Sequence, residues 1–248
     1  MQSSTKNKIT DILQTCVNRA IDRVKKDKTY RPFHEALLTQ KLVAASTFER
    51  SFSTSFGQGP MEEISQILAI SNGAESIRQK ETMVNVNKGA VDEIERILSS
   101  LRSGDSKPNW EKEITKIKAF NKGDYVVRRI ISDLWIKKDE TEIFISIKTV
   151  KPNIDQTEIV KKDMLLLKAH NPKCESYLGL YYNPGGPNRS DYNWSIPSKI
   201  FNMSQDVCVL IGREYWDFIG GEGSYDALLE IFKKVGNDTR AQLKEIGH

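Results

Sequence analysis

Between residues 6 and 26, Ile9, Ile12, Leu13, Cys16, Val17, Ala20, Ile21 and Val24 recur at intervals of three and four, which predicts an amphipathic first helix. Pro32 interrupts the pattern, and residues 34–50 predict a second helix. The polar stretch 51–60, rich in Ser, Thr and Gly, reads as a loop. Pro60 suits the first turn of a third helix through Ile70, with Glu62 and Glu63 where a helix N-terminus favours negative charge. Asn72-Gly73 ends it. Residues 91–101 and 110–120 predict two more helices, separated by the linker 103–109 (SGDSKPN).

The period then changes. Residues 125–136 and 142–150 are rich in β-branched side chains and flank a short polar turn, which predicts a β-hairpin. Asp155, with Glu158 three residues on, is a candidate cap for a helix running to about Ala169. Residues 175–182 and 206–211 predict strands. A turn-rich loop at 183–188 (NPGGPN) lies between them, and Ser224 caps a last helix over residues 225–235, with a charged helical tail behind it. This order predicts an α/β fold, a mixed central β-sheet flanked by helices, with an N-terminal helical region. One domain is expected over residues 1–248: a mainly helical part at 1–105, an α/β core at 106–235 and a tail at 236–248.

Composition narrows this picture little. With 248 residues and 38% hydrophobic content the chain can bury a core. Charged residues make up 28%, no apolar run approaches a membrane span, and no secretory h-region is visible, so a soluble cytoplasmic protein is expected. Cys16, Cys174 and Cys208 lack C-x-x-C spacing and read as buried thiols, not as a disulfide or zinc framework. The net charge of +4 is modest, but residues 107–173 hold 15 Lys and Arg against 10 Asp and Glu. The basic segment is the one with the candidate chemistry.

On the second hairpin strand, side chains alternate between faces, so Ile143, Ile145 and Ile147 point one way while Phe144, Ser146 and Lys148 point the other. On the first, Asp133 follows Ile130 and Ile131 and precedes Leu134, a carboxylate in an apolar strand that needs a cation or donor. The hairpin places it near Ser146 and Lys148. A carboxylate-held Mg²⁺ beside a lysine can activate water and neutralise charge at a phosphodiester. The same pair also reads as an ordinary edge-strand ion pair, and Ser146 with Lys148 as a Ser-Lys hydrolase dyad.

This pattern, a strand Asp, a turn, then x-x-Lys on the next strand with a helix behind, resembles the PD-(D/E)xK core of Type II restriction endonucleases. From about Phe33 to Tyr225 the chain resembles the TdeIII family of such enzymes, through RPFHE (31–35), FERSFSTSFGQGPMEE (48–63), SIKTVKPNIDQT (146–157), SDYNWS (190–195) and VLIGREYWDFIGGEG (209–223). Ser146 departs from the usual core, because it stands where a second carboxylate is normally found. A variation among enzymes that read CCGG- and CCNGG-like sites keeps Ser-x-Lys and takes the acid from the following helix. Asp163, with fourteen residues between it and Lys148, matches that variation with one residue inserted. The resemblance therefore implies Asp133 and Asp163 as Mg²⁺ ligands. Glu63, from the N-terminal helical part, is the further candidate, ahead of Glu62, and Glu158 is left to the helix cap or a pair with Lys162.

For contact with double-stranded DNA, Lys151, Asn153, Asp155 and Gln156 lie between Lys148 and the next helix, and Arg189, Asp191, Tyr192 and Trp194 form a second cluster. Such side chains can read base edges, while Lys151, Lys161 and Lys199 suit phosphates. The resemblance implies a near-palindromic site of the GGNCC type, a homodimer and a cognate DNA methyltransferase. A catalytically inactive DNA-binding protein of the same fold is the other reading that the missing carboxylate leaves open.

Overall fold

The computed structural model describes residues 1–120 and 122–246, the side chains of 58 and 241–246 excepted. Helices α1 (Ser3–Lys26), α2 (Pro32–Leu37), α3 (Gln40–Ser55) and α4 (Gln58–Ser71) precede strand β1 (Glu75–Asn87), and α5 (Lys88–Ser103) and α6 (Trp110–Ala119) follow it. The hairpin β2 (Tyr125–Lys138) and β3 (Thr141–Lys148) leads to α7 (Ile154–His170), β4 (Glu175–Leu180), β5 (Val209–Ile211), α8 (Arg213–Gly220) and α9 (Ser224–Ile246). Among the described residues the strands form one five-stranded sheet in the order β1-β2-β3-β4-β5. The first two pairings are antiparallel and the last two parallel. This is the expected mixed sheet, with helices on both faces.

Two apolar clusters sandwich it. Phe144 and Trp135 join residues of α5, α6 and α7 in one cluster, while Leu134, Ile145 and Ile147 join α1, α4, α8 and α9 in the other. Both faces of β3 are therefore covered, and its polar positions Ser146 and Lys148, on the Phe144 side, are half-buried. The hairpin turn is tighter than the sequence suggests, closing on Asp139-Glu140 with Asp139 at φ 54°, a left-handed position that Asp tolerates.

Several boundaries differ from expectation. Strand β1 lies in the part expected to be mainly helical, yet it pairs along nearly the whole of β2. Its sequence, ESIRQKETMVNVN, is charged because it is an edge strand with its first nine positions no more than half-buried, so it lacks the apolar alternation that marks a strand. The expected helix 34–50 is two helices, broken where Leu38 turns extended and Thr39 caps α3 through the N–H of Leu42. Helix α3 then runs through residues 51–55, which were expected to be loop. Helix α8 was not expected at all. The charged tail is helical, as expected, continuing α9 to Ile246, and residues 247–248 lie outside those described.

Candidate active site

The site forms where the sheet divides. Leu134–Ile145 is the last β2–β3 pair. Beyond it β2 continues beside β1 alone, and β3 continues beside β4. In the gap the Asp133 carboxylate takes the place of a backbone acceptor. Its Oδ2 accepts the N–H of Ile147 at 2.7 Å and a hydrogen bond from Lys148 Nζ at 2.9 Å. Asp133 is 7% exposed, so these donors offset the loss of water around a buried charge. Ser146 is half-buried on the intervening strand. Lys148 Nζ is engaged with Asp133 at 2.9 Å, the contact of an ion pair and not of a base aimed at Ser146.

Asp163, on α7, faces the same place. Burial raises its carboxyl to about 6, Lys162 and Lys148 pull it down, and the charge of Asp133 pushes it up. Asp163 thus lies near enough to Lys148 and Asp133 to feel their charges. A third acid comes from α4, and it is not the one expected. Glu63 has a side chain 44% exposed and pairs with Arg78 at 3.6 Å on the surface. Glu62 is 5% exposed, and its Oε2 accepts a hydrogen bond at 2.9 Å from Gln79 Nε2, which also reaches Asp133 Oδ1 at 3.4 Å.

The helix phase explains the exchange of neighbours. Glu62 shares a stripe with Ser65 and Ala69, both fully buried, whereas Glu63 lines up with Ile70, which is exposed. That stripe was legible in the sequence. Gln79 left no comparable signal, being one amide in a charged segment. Below the site, Gly179 of β4 leaves room for the Tyr215 ring, since a Cβ there would lie 2.5 Å from Cε2. Tyr215 is fully buried and shares a 2.7 Å hydrogen bond with Ser65, tying α8 to α4 beneath Glu62.

The residues considered for DNA contact largely hold the loop behind Lys148. Asn153, not Asp155, caps α7: it accepts the N–H of Gln156, and Gln156 returns the bond to the N–H of Asn153. Asp155 and Glu158 instead both pair with Arg102 of α5, and Lys162 pairs with Glu95. Tyr192 donates its hydroxyl hydrogen to the Val150 carbonyl at 3.0 Å and Trp194 its indole N–H to the Pro152 carbonyl at 3.1 Å, while Lys151 lies over the Trp194 ring. Arg189 is spent on the carbonyls of Met203 and Asp206 and on Glu214, and Asp191 accepts the N–H of Asn188. Lys161 is no phosphate contact: it is 0% exposed, paired with Glu113 and set over the rings of Trp110 and Phe201. Lys199 is exposed.

Residues 1–236 match the model of a family described as "Type II restriction endonuclease, HinfI". The chain belongs to the HinfI family of Type II restriction endonucleases. It is a site-specific deoxyribonuclease, and DNA is its substrate class. The match names HinfI where the sequence resembled TdeIII, so the resemblance holds at the level of Type II restriction endonuclease. Among similar proteins, the Type II restriction enzyme HgiBI of Herpetosiphon aurantiacus is 26% identical over 270 residues, 97% of this chain and 96% of that one. The Type II restriction enzyme HgiCII of the same organism is 26% identical over 89% of this chain and 82% of its own. The Type II restriction enzyme MjaII of Methanocaldococcus jannaschii is 29% identical over 79% of this chain and 56% of its own. No helix among the described residues is long and apolar enough to cross a membrane.

For a restriction endonuclease, which works with a divalent metal, the donor set is informative. Asp133, Asp163 and Glu62 offer hard carboxylate oxygens, the donor chemistry of a hard divalent cation. Among the described residues no three His, Cys, Asp or Glu side chains come together as a ready metal cluster.

Proposed function

We propose that this restriction endonuclease hydrolyses double-stranded DNA with Mg²⁺, at a short near-palindromic site of the GGNCC type. The observation that carries the reading is the contact of Lys148 with Asp133 at the fork of β2 and β3, with Asp163 in the same electrostatic field. Asp133 and Asp163 would hold the cation, which supplies charge stabilisation at the phosphate and a more acidic water. Lys148, anchored by Asp133, is placed to orient the attacking water and to meet the developing negative charge. Asp133 is held from two sides, by the Ile147 N–H and by Lys148, so its geometry is set before substrate arrives. Asp163, lifted by burial, is a carboxylate whose charge a cation would relieve.

The loop 149–153, pinned by Tyr192 and Trp194 and ending in the capped start of α7, lies next to Lys148 and would meet the DNA. In this reading Lys151, Asn153, Asp155 and Gln156 approach it directly, while Arg189, Asp191 and Tyr192 shape the surface that supports them. A two-fold homodimer would place one active site on each strand of the palindrome, and a methyltransferase of the same specificity would protect the host DNA.

The test is digestion of a plasmid of known sequence with Mg²⁺, with EDTA, and with Asp133→Ala, Lys148→Ala and Asp163→Asn variants. Discrete fragments are expected only from the unaltered protein with metal, and their ends give the recognition sequence. Unchanged cutting by Asp133→Ala would overturn the site. Sequence-specific binding with no cutting in Mg²⁺ would instead support the inactive DNA-binding reading.

A further inference from the structure

The geometry points to Gln79 as a positioning residue that holds Glu62 and Asp133 together as a preformed pair and thereby sets how tightly the site takes a divalent cation. The inference rests on the active-site reading proposed above. The β1–β2 pairs Arg78–Leu134 and Lys80–Ser132 leave Gln79 opposite Asp133, in the middle of a long antiparallel ribbon. There its backbone stands at φ 51°, although it is not glycine. A left-handed residue inside a strand is costly and persists where its surroundings over-determine it, commonly at functional sites. Asp139, with the comparable φ of 54°, sits in the hairpin turn, where such a conformation is ordinary.

The side chain accounts for the backbone. One amide nitrogen faces both acids, 2.9 Å from Glu62 Oε2 and 3.4 Å from Asp133 Oδ1. An amide NH₂ has two hydrogens, so these acceptors match its donor capacity. Glu62 and Asp133 are both buried, and two buried carboxylates side by side repel. The positive end of the amide dipole between them offsets that repulsion and keeps both groups in place before a cation arrives. Asp133 is then held on one oxygen by Ile147 and Lys148 and on the other by Gln79, so the carboxylate is fixed from both ends. Asparagine is one methylene shorter, and glutamate would add a third negative charge.

Loss of such an outer partner of a metal-binding carboxylate commonly weakens metal affinity by about 10- to 100-fold. The test compares the unaltered chain with its Gln79→Gly variant. Mn²⁺ binding is measured by titration calorimetry without DNA, alongside thermal melting in EDTA and the Mg²⁺ dependence of plasmid cleavage. Glycine accepts the left-handed backbone freely, so Gln79→Gly is expected to fold. It should bind Mn²⁺ about tenfold or more weakly. Its half-saturating Mg²⁺ for cleavage should rise by a similar factor, with a smaller loss in kcat. A merely structural role would lower the melting temperature and leave Mn²⁺ affinity and half-saturating Mg²⁺ where they were, and that result overturns the inference. Asp133→Asn distinguishes the two levels of failure. If it loses Mn²⁺ while Gln79→Gly does not, only the role of Gln79 falls, and if Asp133→Asn binds Mn²⁺ normally, the active-site reading and this inference fall together.

Discussion

Replacing Asp163 by asparagine should make the metal-free protein more stable at neutral pH. Burial lifts this carboxyl from 3.8 to about 6. Below pH 3.8 the folded and unfolded chains both carry the proton, and the group costs nothing. As pH rises from there, the unfolded chain releases the proton first, so folding stability falls until the folded group also ionises near pH 6, and stays at the lower level above it. The gap of about two pKa units corresponds to roughly 3 kcal/mol, and solvent screening at a half-buried position brings this toward about 2 kcal/mol. Asparagine keeps the shape without the charge, so in EDTA at pH 8 the variant should gain about 2 kcal/mol, roughly 4–8 °C in melting temperature for a chain of this size. Near pH 4 the gain should shrink to under about 1 kcal/mol. Urea denaturation at the two pH values measures both numbers. The sign is diagnostic, because most substitutions destabilise. Millimolar Mg²⁺ should narrow the gap, since a cation compensates a charge that asparagine lacks. A variant no more stable than the parent at pH 8, or a gain equal at both pH values, would refute the placing of Asp163 in a desolvated site.

Three other outcomes are expected. Glu62→Gln should lower Mg²⁺-dependent cleavage by about tenfold or more while Glu63→Gln stays within about threefold, and the reverse ranking in a plasmid assay would restore Glu63 to the site. Lys161→Met should destabilise the fold by about 3–5 kcal/mol in chemical denaturation by stranding Glu113, and a second change, Glu113→Leu, should recover most of the loss. Tyr192→Phe removes the hydrogen bond to the Val150 carbonyl, worth about 1 kcal/mol. It should slow cleavage several-fold with a melting shift of about 2–4 °C, and unchanged rates would show that this bond does not steady the loop behind Lys148.

The hairpin was legible because local rules suffice there. Three isoleucines on one face of β3 put Ser146 and Lys148 on the other, and a lone acid in an apolar strand marked Asp133. Where two local patterns overlapped, sequence was not enough. Asn153-x-x-Gln156 and Asp155-x-x-Glu158 are both capping patterns two residues apart, and the first forms because Arg102, from a distant helix, takes both acids of the second. Lys161 looked like a surface cation because nothing near it in sequence reveals Glu113, forty-eight residues earlier.

What the sequence by itself determined is therefore the alternation, the hairpin, the spacing that brings Asp163 behind Lys148, and a family resemblance at the level of Type II restriction endonuclease. All depend on residues close in the chain or on their order. Tertiary structure alone decided that a charged segment becomes the edge strand β1 and that Gln79 stands opposite Asp133. The physical reason is shared: each depends on which partner a residue meets across the sheet or between helices, and the free energy of that meeting exceeds the local preference that a sequence displays.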